Sequence, residues 1–247
     1  MEPVDRILDE LNNLQKPSGR PLVTLSYAQS LDGSIAARRG FPLALSGPES
    51  SVLTHRLRAA HDAILVGIGT VLADNPRLTV RLVEGKSPQP LILDSCLRIP
   101  LNAALLEGRS PWIATTSQAD PQIAAALEGQ GAFLMYFPAD AEGRVSLPAL
   151  LERLDQIGVA SVMVEGGACV IGSFMAGGLV DLMVLTIAPV LVGGVPAVAR
   201  SLAEGKEEIQ SSFPRLSEMS AAKLGVDLIV WGRPTWPRPS NHVRRTI

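Results

Sequence analysis

The sequence predicts one α/β domain whose sheet is predominantly parallel and closes with an antiparallel hairpin. Three observations predict it. Short apolar, β-rich runs alternate with helical patterns along the whole length. Several helices have readable starts and stops. Twice, a fully apolar run passes directly into glycines and then a helix, the pattern of a strand that delivers a binding edge.

The elements follow in order. Met1 to Leu14 places Val4, Ile7, Leu8, Leu11 and Leu14 at helical spacing and reads as an amphipathic helix, packed on the domain or on a partner subunit. Leu22–Tyr27 is the first strand. Ser46-Gly47-Pro48-Glu49 has the capping-box form with proline in the first turn, and opens a helix through Arg58. Ala63–Val66 has no polar face and reads as a buried strand. Pro90–Asp94, Trp112–Thr115, Ala132–Phe137 and Ser161–Glu165 supply further strands. Between them, Asp120-Pro121 opens a helix through Leu127 that Gly129 closes. Ser146-Leu147-Pro148 opens another through Ile157, closed by Gly158. Leu182–Ala188 is a strand, and Ser217–Lys223 with Val226–Trp231 forms the final hairpin. Residues 1–20 are thus an N-terminal helix, 21–233 one domain without an internal linker, and 234–247 a basic, Pro-rich tail read as a solvated end.

Composition narrows the function. Hydrophobic residues at 47% and charged residues at 19% describe a filled core and not a disordered chain. Aromatics at 4% and a net charge of −2 argue against nucleic acid and against a membrane surface as partner. No stretch reaches the roughly 18 apolar residues of a membrane span. The N-terminus lacks the basic region and apolar block of a secretory signal, so a cytoplasmic location is expected. Cys96 and Cys169 stand far apart and are expected to be buried structural thiols. With His55, His61 and His242 they make no ligand spacing, so no metal is expected.

Two constellations carry chemistry. In the first, the strand Ala63–Val66 runs into Gly67, Gly69 and Thr70, then a short apolar turn ended by Asp74-Asn75-Pro76. Gly67 and Gly69 allow close backbone approach, and Thr70 offers a hydroxyl and N–H groups to an anion. Asp74, Arg77 and Arg81 bring charge of both signs to the same edge. An ordinary strand–loop–helix connection explains these residues equally well, because Gly-x-Gly without a third glycine is not a dinucleotide fingerprint. In the second, Val162-Met163-Val164-Glu165 runs into Gly166-Gly167-Ala168-Cys169-Val170-Ile171-Gly172-Ser173. The glycines leave the first N–H groups of that helix free for a phosphate. Glu165 ends an apolar strand and is either a salt-bridged structural carboxylate or one that binds ligand N–H and O–H groups. Gly193-Gly194 either lines the same cleft or forms a turn.

These motifs resemble the pyrimidine reductases of riboflavin biosynthesis. The resemblance rests on Ser30-Leu-Asp-Gly33, Leu57-Arg58, Val66-Gly-Ile-Gly-Thr-Val-Leu-Ala-Asp-Asn-Pro-Arg-Leu-Thr-Val-Arg81, Leu93-Asp94-Ser95 with Arg98, Val164-Glu-Gly-Gly167, and Gly178-Leu-Val-Asp181 leading to Ile187-Ala-Pro189. It runs from about Pro21 to Trp231. It implies a dihydrofolate-reductase-like, three-layer αβα fold, NADPH as hydride donor, a homodimer, and reduction of a ribosylamino-pyrimidine 5′-phosphate to its ribitylamino form. Carried over residue by residue, it puts NADPH near Ala28, Thr70, Asp74, Ser95 and the helix start Gly166, Gly167, Ala168, Cys169, Val170, Ile171, Gly172 and Ser173. Arg98 joins that set by its charge and position. Substrate falls near Arg58, Leu78, Arg81 and Glu165, with Arg58 and Arg81 suited to clamp the 5-phosphate. Asp74 and Glu165 are the carboxylate candidates for catalysis, either of them or a bound water supplying the proton, and Asp32 is read as a structural turn residue.

The chain departs from the fused bacterial enzymes at Ser26, where they carry lysine, and at Pro42-Leu43-Ala44, where they carry Ser-x-Trp. It also lacks the His-x-Glu and Pro-Cys-x-x-Cys pattern of a zinc deaminase. The resemblance is nearer to fungal and archaeal reductases, which act on the diaminopyrimidinone before deamination, whereas the fused enzymes act on the aminouracil after it. Rival readings are a dihydrofolate reductase acting on a pterin and a non-catalytic nucleotide-binding relative.

Overall fold

The computed structural model describes residues 2–198 and 213–236. His242 and most of the basic tail lie outside them. A nine-stranded sheet forms the middle layer, in the order β10-β11-β8-β1-β7-β3-β4-β5-β6. Its strands are β1 (Leu22–Ser30), β3 (Ala63–Gly67), β4 (Gln89–Leu93), β5 (Trp112–Thr115), β6 (Phe133–Tyr136), β7 (Ser161–Gly166), β8 (Leu182–Ala188), β10 (Arg215–Leu224) and β11 (Asp227–Thr235). From β8 across to β6 every pairing is parallel. The hairpin β10–β11 then joins β8 in antiparallel register. A separate ribbon pairs β2 (Ser34–Ala36) with β9 (Val195–Pro196).

Strand alternation divides the core into layers. On one face Ala63, Leu65, Val162 and Val164 pack under α5 (Leu147–Gln156) and α6 (Ala168–Ala176). On the other, Ile64, Val66, Ile92 and Ile113 pack under α3 (Ile68–Asp74) and α4 (Pro121–Gly129). Toward the hairpin that same side is covered by α1 (Pro3–Asn13) and α2 (Pro48–Ala59), which meet Leu22, Met163, Val184 and Trp231. The N-terminal helix therefore packs on its own domain, through Val4, Ile7 and Leu11. Burying each such aliphatic side chain contributes about 1.5–3 kcal/mol.

Three local expectations are corrected. The helix at Ser46 is not closed by a capping box: α2 starts at Pro48 with Gly47 as N-cap and no side-chain cap. The Gly47 N–H instead donates to Asp227 Oδ2 at 2.8 Å, a partner 180 residues away on the hairpin. Gly129 does not stop α4, which runs through it; Gly131, at φ 88°, turns the chain. Cys96 and Cys169 are exposed, not buried, because both follow strand ends at the open edge of the sheet. Leu78, expected near the substrate, has its side chain in the same buried cluster as Ile64 and Val71. Its backbone is left-handed, φ 52°, so the loop turns inward there.

The glycine pair 193–194 lies in the loop between β8 and β9, held against the Asp32 segment. The Val192 and Gly193 N–H groups donate to Asp32, and the Gly194 N–H donates to Ser34 Oγ at 2.9 Å. Asp32 also accepts from the Ser30 and Ser34 hydroxyls. Those bonds, the Ser30 hydroxyl foremost, hold its carboxyl well below the usual range. Asp32 is a structural turn residue.

Candidate active site

Strand order reverses around β1: the chain runs outward through β3 to β6, then returns to insert β7 between β1 and β3. A cleft opens outside the carboxyl ends of strands at such a switch point. Here it has a volume of about 230 Å³ and is lined from β1 by Ser26, Tyr27 and Ala28, and from α3 by Thr70 and Asp74. Glu165, Gly167 and Ile171 line it from the β7–α6 corner, with Ser46, Thr54 and Thr186 completing the wall.

Glu165 reaches this cleft through a bulge. Leu65 pairs with Val164 and Val66 pairs with Gly166, so the β3–β7 register skips Glu165. Gly166 follows at φ 101°, which glycine adopts without steric penalty. The freed carboxylate meets Arg58 of α2 fork to fork: Arg58 Nε donates to Oε1 at 2.6 Å and Nη2 to Oε2 at 2.7 Å. The two side chains are 13% and 15% exposed, so the pair is largely shielded from water. Burial alone would lower the Arg58 guanidinium, but the Glu165 hydrogen bonds and charge outweigh it and raise it. Arg58 Nη1 also donates to the Thr79 carbonyl at 3.0 Å.

The β3–α3 and β7–α6 corners are joined side to side. The Gly167 N–H donates to Thr70 Oγ1 at 3.1 Å. A Cβ on Gly67 would meet Val170 Cγ2 at 2.7 Å, so this glycine lets α6 lie against β3. Gly69 faces open space. Gly167 is the N-cap of α6 and makes no side-chain cap hydrogen bond, which leaves the positive end of that helix facing the cleft.

Of the remaining expected residues, Ala28 and Asp74 line the cleft directly. Burial raises the Asp74 carboxyl above its usual range. Ser95 lies beyond it, its hydroxyl accepting the Val145 N–H at 3.2 Å. Arg98 is 61% exposed, with Nε 4.0 Å from the buried Asp94 carboxylate. Arg81 is exposed and donates to Thr79 Oγ1 at 2.7 Å.

Sequence reasoning missed Tyr27, whose phenol burial pushes up to about 12, and Thr54 and Thr186 in the wall. It also missed Arg144, whose Nη1 lies 3.5 Å from Ser173 Oγ on α6. No signal in the sequence marked Tyr27 or Thr186, since both sit in otherwise ordinary strands.

Residues 21–230 match the RibD C-terminal domain family. The chain belongs to that family. This RibD C-terminal domain is 39% identical over 215 residues to the 2,5-diamino-6-ribosylamino-4(3H)-pyrimidinone 5′-phosphate reductase of Methanothermobacter thermautotrophicus, covering 85% of this chain and 97% of that one. It is 35% identical over 231 residues to the riboflavin biosynthesis protein RibD of Bacillus amyloliquefaciens, covering 92% of this chain and 61% of the longer RibD protein. Among solved structures it resembles the riboflavin biosynthesis reductase Rib7 of Saccharomyces cerevisiae, with a TM-score of 0.76 and 29% identity over 95% of this chain and 100% of that chain. A dihydrofolate reductase of Enterococcus faecalis shares the fold, at 13% identity and a TM-score of 0.50 over 89% of this chain and 99% of that one. The RibD C-terminal domain thus has the dihydrofolate-reductase-like architecture, a three-layer α/β fold.

Proposed function

We propose that this protein is an NADPH-dependent reductase of riboflavin biosynthesis that converts 2,5-diamino-6-ribosylamino-4(3H)-pyrimidinone 5′-phosphate to its ribitylamino form. The observation that carries the proposal is the cleft at the switch point. It gathers the uncapped start of α6, the Asp74 carboxyl and the Glu165–Arg58 pair at one switch point. The near full-length likeness to an archaeal reductase of that name supports the diaminopyrimidinone, and Ser26 in place of lysine agrees with it.

The α6 corner fits a dinucleotide. Its N-cap is a glycine without a side-chain cap, and a Cβ there would lie 3.1 Å from Thr70 Oγ1 in the floor of the cleft. At the Gly167–Ser173 helix start, the first-turn N–H groups of Ala168, Cys169 and Val170, which have no acceptor within the helix, would hold the pyrophosphate. Ser95 and Arg98 would lie toward the adenosine 2′-phosphate. When bound, NADPH supplies a hydride. The chain's own task is to position C1′ of the opened ribosylamino sugar and to manage a proton. Arg58 fixes both Glu165 oxygens, so Glu165 accepts hydrogen bonds from the pyrimidine or ribose. Asp74, whose carboxyl burial raises above its usual range, serves as the proton donor. Arg58 is committed to Glu165, which leaves Arg81 for the 5-phosphate. A homodimer in the cytoplasm completes the proposal.

A second reading, reduction of the aminouracil after deamination, is favoured by the likeness to RibD. Turnover assays with each pyrimidine and NADPH separate the two. We expect at least tenfold higher kcat/KM on the diaminopyrimidinone. Preference for the aminouracil would select the second reading, and turnover of dihydrofolate alone would replace both. Equal kcat/KM with NADH, or an Arg98→Ala variant of unaltered cofactor selectivity, would remove Arg98 from the cofactor site.

A further inference from the structure

His55 is buried, 5% exposed, one turn of α2 before Arg58. Its Nδ1 accepts the backbone N–H of Arg81 at 2.8 Å and that of Leu82 at 3.4 Å. An imidazole nitrogen that accepts carries no proton, so the ring is neutral with its hydrogen on Nε2. Arg58 grips the same segment two residues earlier, through the Thr79 carbonyl. Two side chains of one helix therefore hold residues 79–82 from both ends. Among the described residues, no carboxylate pairs with Arg81, although Arg58 beside it is tied to Glu165. The exposed guanidinium thus sits on backbone that α2 holds in place.

We propose that His55 is a positioning residue for the substrate's phosphate: its neutral ring holds the 81–82 backbone so that Arg81 faces the ribose 5-phosphate, and protonation releases it. This rests on the function proposed above and deepens it. An imidazolium has N–H at both nitrogens, so Nδ1 would confront two backbone donors instead of accepting from them. It would also place a cation among those around it, Arg58 on its own helix and Arg81 on the held segment, with Glu165 of β7 the opposing charge. Burial first, then Arg58 and Arg81, hold the ring's pKa below its usual value, against the upward pull of Glu165. The neutral form therefore prevails at working pH, and release belongs to the acid side.

The test is steady-state kinetics on the full chain with the phosphorylated pyrimidine and its dephosphorylated nucleoside, using His55→Phe and His55→Asn. Asparagine can present its carbonyl oxygen where Nδ1 stands, and it does not titrate. His55→Phe should raise KM for the phosphorylated substrate about tenfold, with kcat and the nucleoside's KM within about twofold. His55→Asn should restore KM and abolish the acid-side rise in KM expected of the wild type. Unchanged KM in folded His55→Phe, equal losses on both substrates, or an acid-side rise that survives in His55→Asn would each overturn the proposal. Should His55→Phe fail to fold, the pH profile of His55→Asn decides alone. A binding readout separates this proposal from the reaction itself. Ribose 5-phosphate should raise the Tm of wild type and His55→Asn at neutral pH, with the wild-type effect alone lost in acid. If wild type reduces neither pyrimidine, the proposed function fails, whereas the ribose 5-phosphate result still upholds or overturns the role of His55.

Discussion

The two strand–glycine–helix corners, β3–α3 and β7–α6, lie next to each other at one sheet edge and differ in what they offer. Both begin with a buried strand and glycines. At β3–α3 the helix lasts only seven residues, ends at a left-handed Asn75, and turns its Thr70 hydroxyl toward its neighbour's Gly167 N–H. Gly67 there makes room for α6, not for a ligand. At β7–α6 a bulge frees Glu165, and the longer helix starts on an uncapped glycine. One corner thus buttresses α6 and brings the Asp74 carboxyl to the cleft, while the other presents Glu165 and the helix end. Similar local sequence acquires different roles because each corner's neighbours differ.

The largest test of this contrast is Glu165→Gln. It keeps shape but leaves Arg58 facing a neutral amide in a shielded site, so kcat/KM should fall on the order of 10²-fold, about 2.7 kcal/mol, while NADPH binding persists. Full activity in the variant would make Glu165 a structural partner of Arg58 only.

Next comes Gly167→Val, which puts a side chain against Thr70 and over the start of α6. NADPH affinity, read by fluorescence titration, should drop at least tenfold, about 1.4 kcal/mol, with the fold retained. Unchanged affinity would move the cofactor away from this corner.

The buttress is tested by stability. Gly67→Ala drives a methyl into Val170 and should cost about 1–3 kcal/mol in denaturant unfolding. Gly69→Ala, in a helix and facing open space, should instead stabilise by about 0.5–1 kcal/mol. Equal effects at the two glycines would erase the distinction drawn between them.

A last effect concerns the scaffold beneath both corners. His61 is buried, its Nδ1 2.6 Å from the Leu57 carbonyl and its Nε2 2.8 Å from the Thr24 hydroxyl. Burial lowers its pKa from the usual 6.5. The folded value lies below the unfolded one, so the unfolded chain takes up the proton first. Stability is therefore intact above about pH 6.5 and lost as pH falls below it, at up to about 1.4 kcal/mol per pH unit per group. Unfolding at pH 7.5 and 5.5 should show this fall, with a shallower slope in His61→Gln. Equal slopes would place the acid sensitivity elsewhere.

Much of the architecture was legible in the sequence. Ala63–Gly67 has no polar face because it is covered on both sides. Asp120 before Pro121 marked its helix start, and its side chain does accept from Gln122 and Ile123. Ser46 misled because the helix begins one residue later, with Gly47 as N-cap, and the Gly47 N–H is held by the distant hairpin carboxylate Asp227. The small β2–β9 ribbon was not read, since a two- or three-residue strand has no period to detect.

By itself the sequence determined which segments are strands and helices, because apolar spacing and turn residues act within a few positions of one another. It also determined the chemical types present at each corner. Only the tertiary structure decided the pairings: Arg58 with Glu165, 107 residues apart, and Gly167 with Thr70, 97 apart. It likewise decided that His55 holds the backbone carrying Arg81. Such contacts depend on strand order and on one skipped residue in the β3–β7 register. A one-residue shift in register re-aims a side chain, and no local pattern in the chain records it.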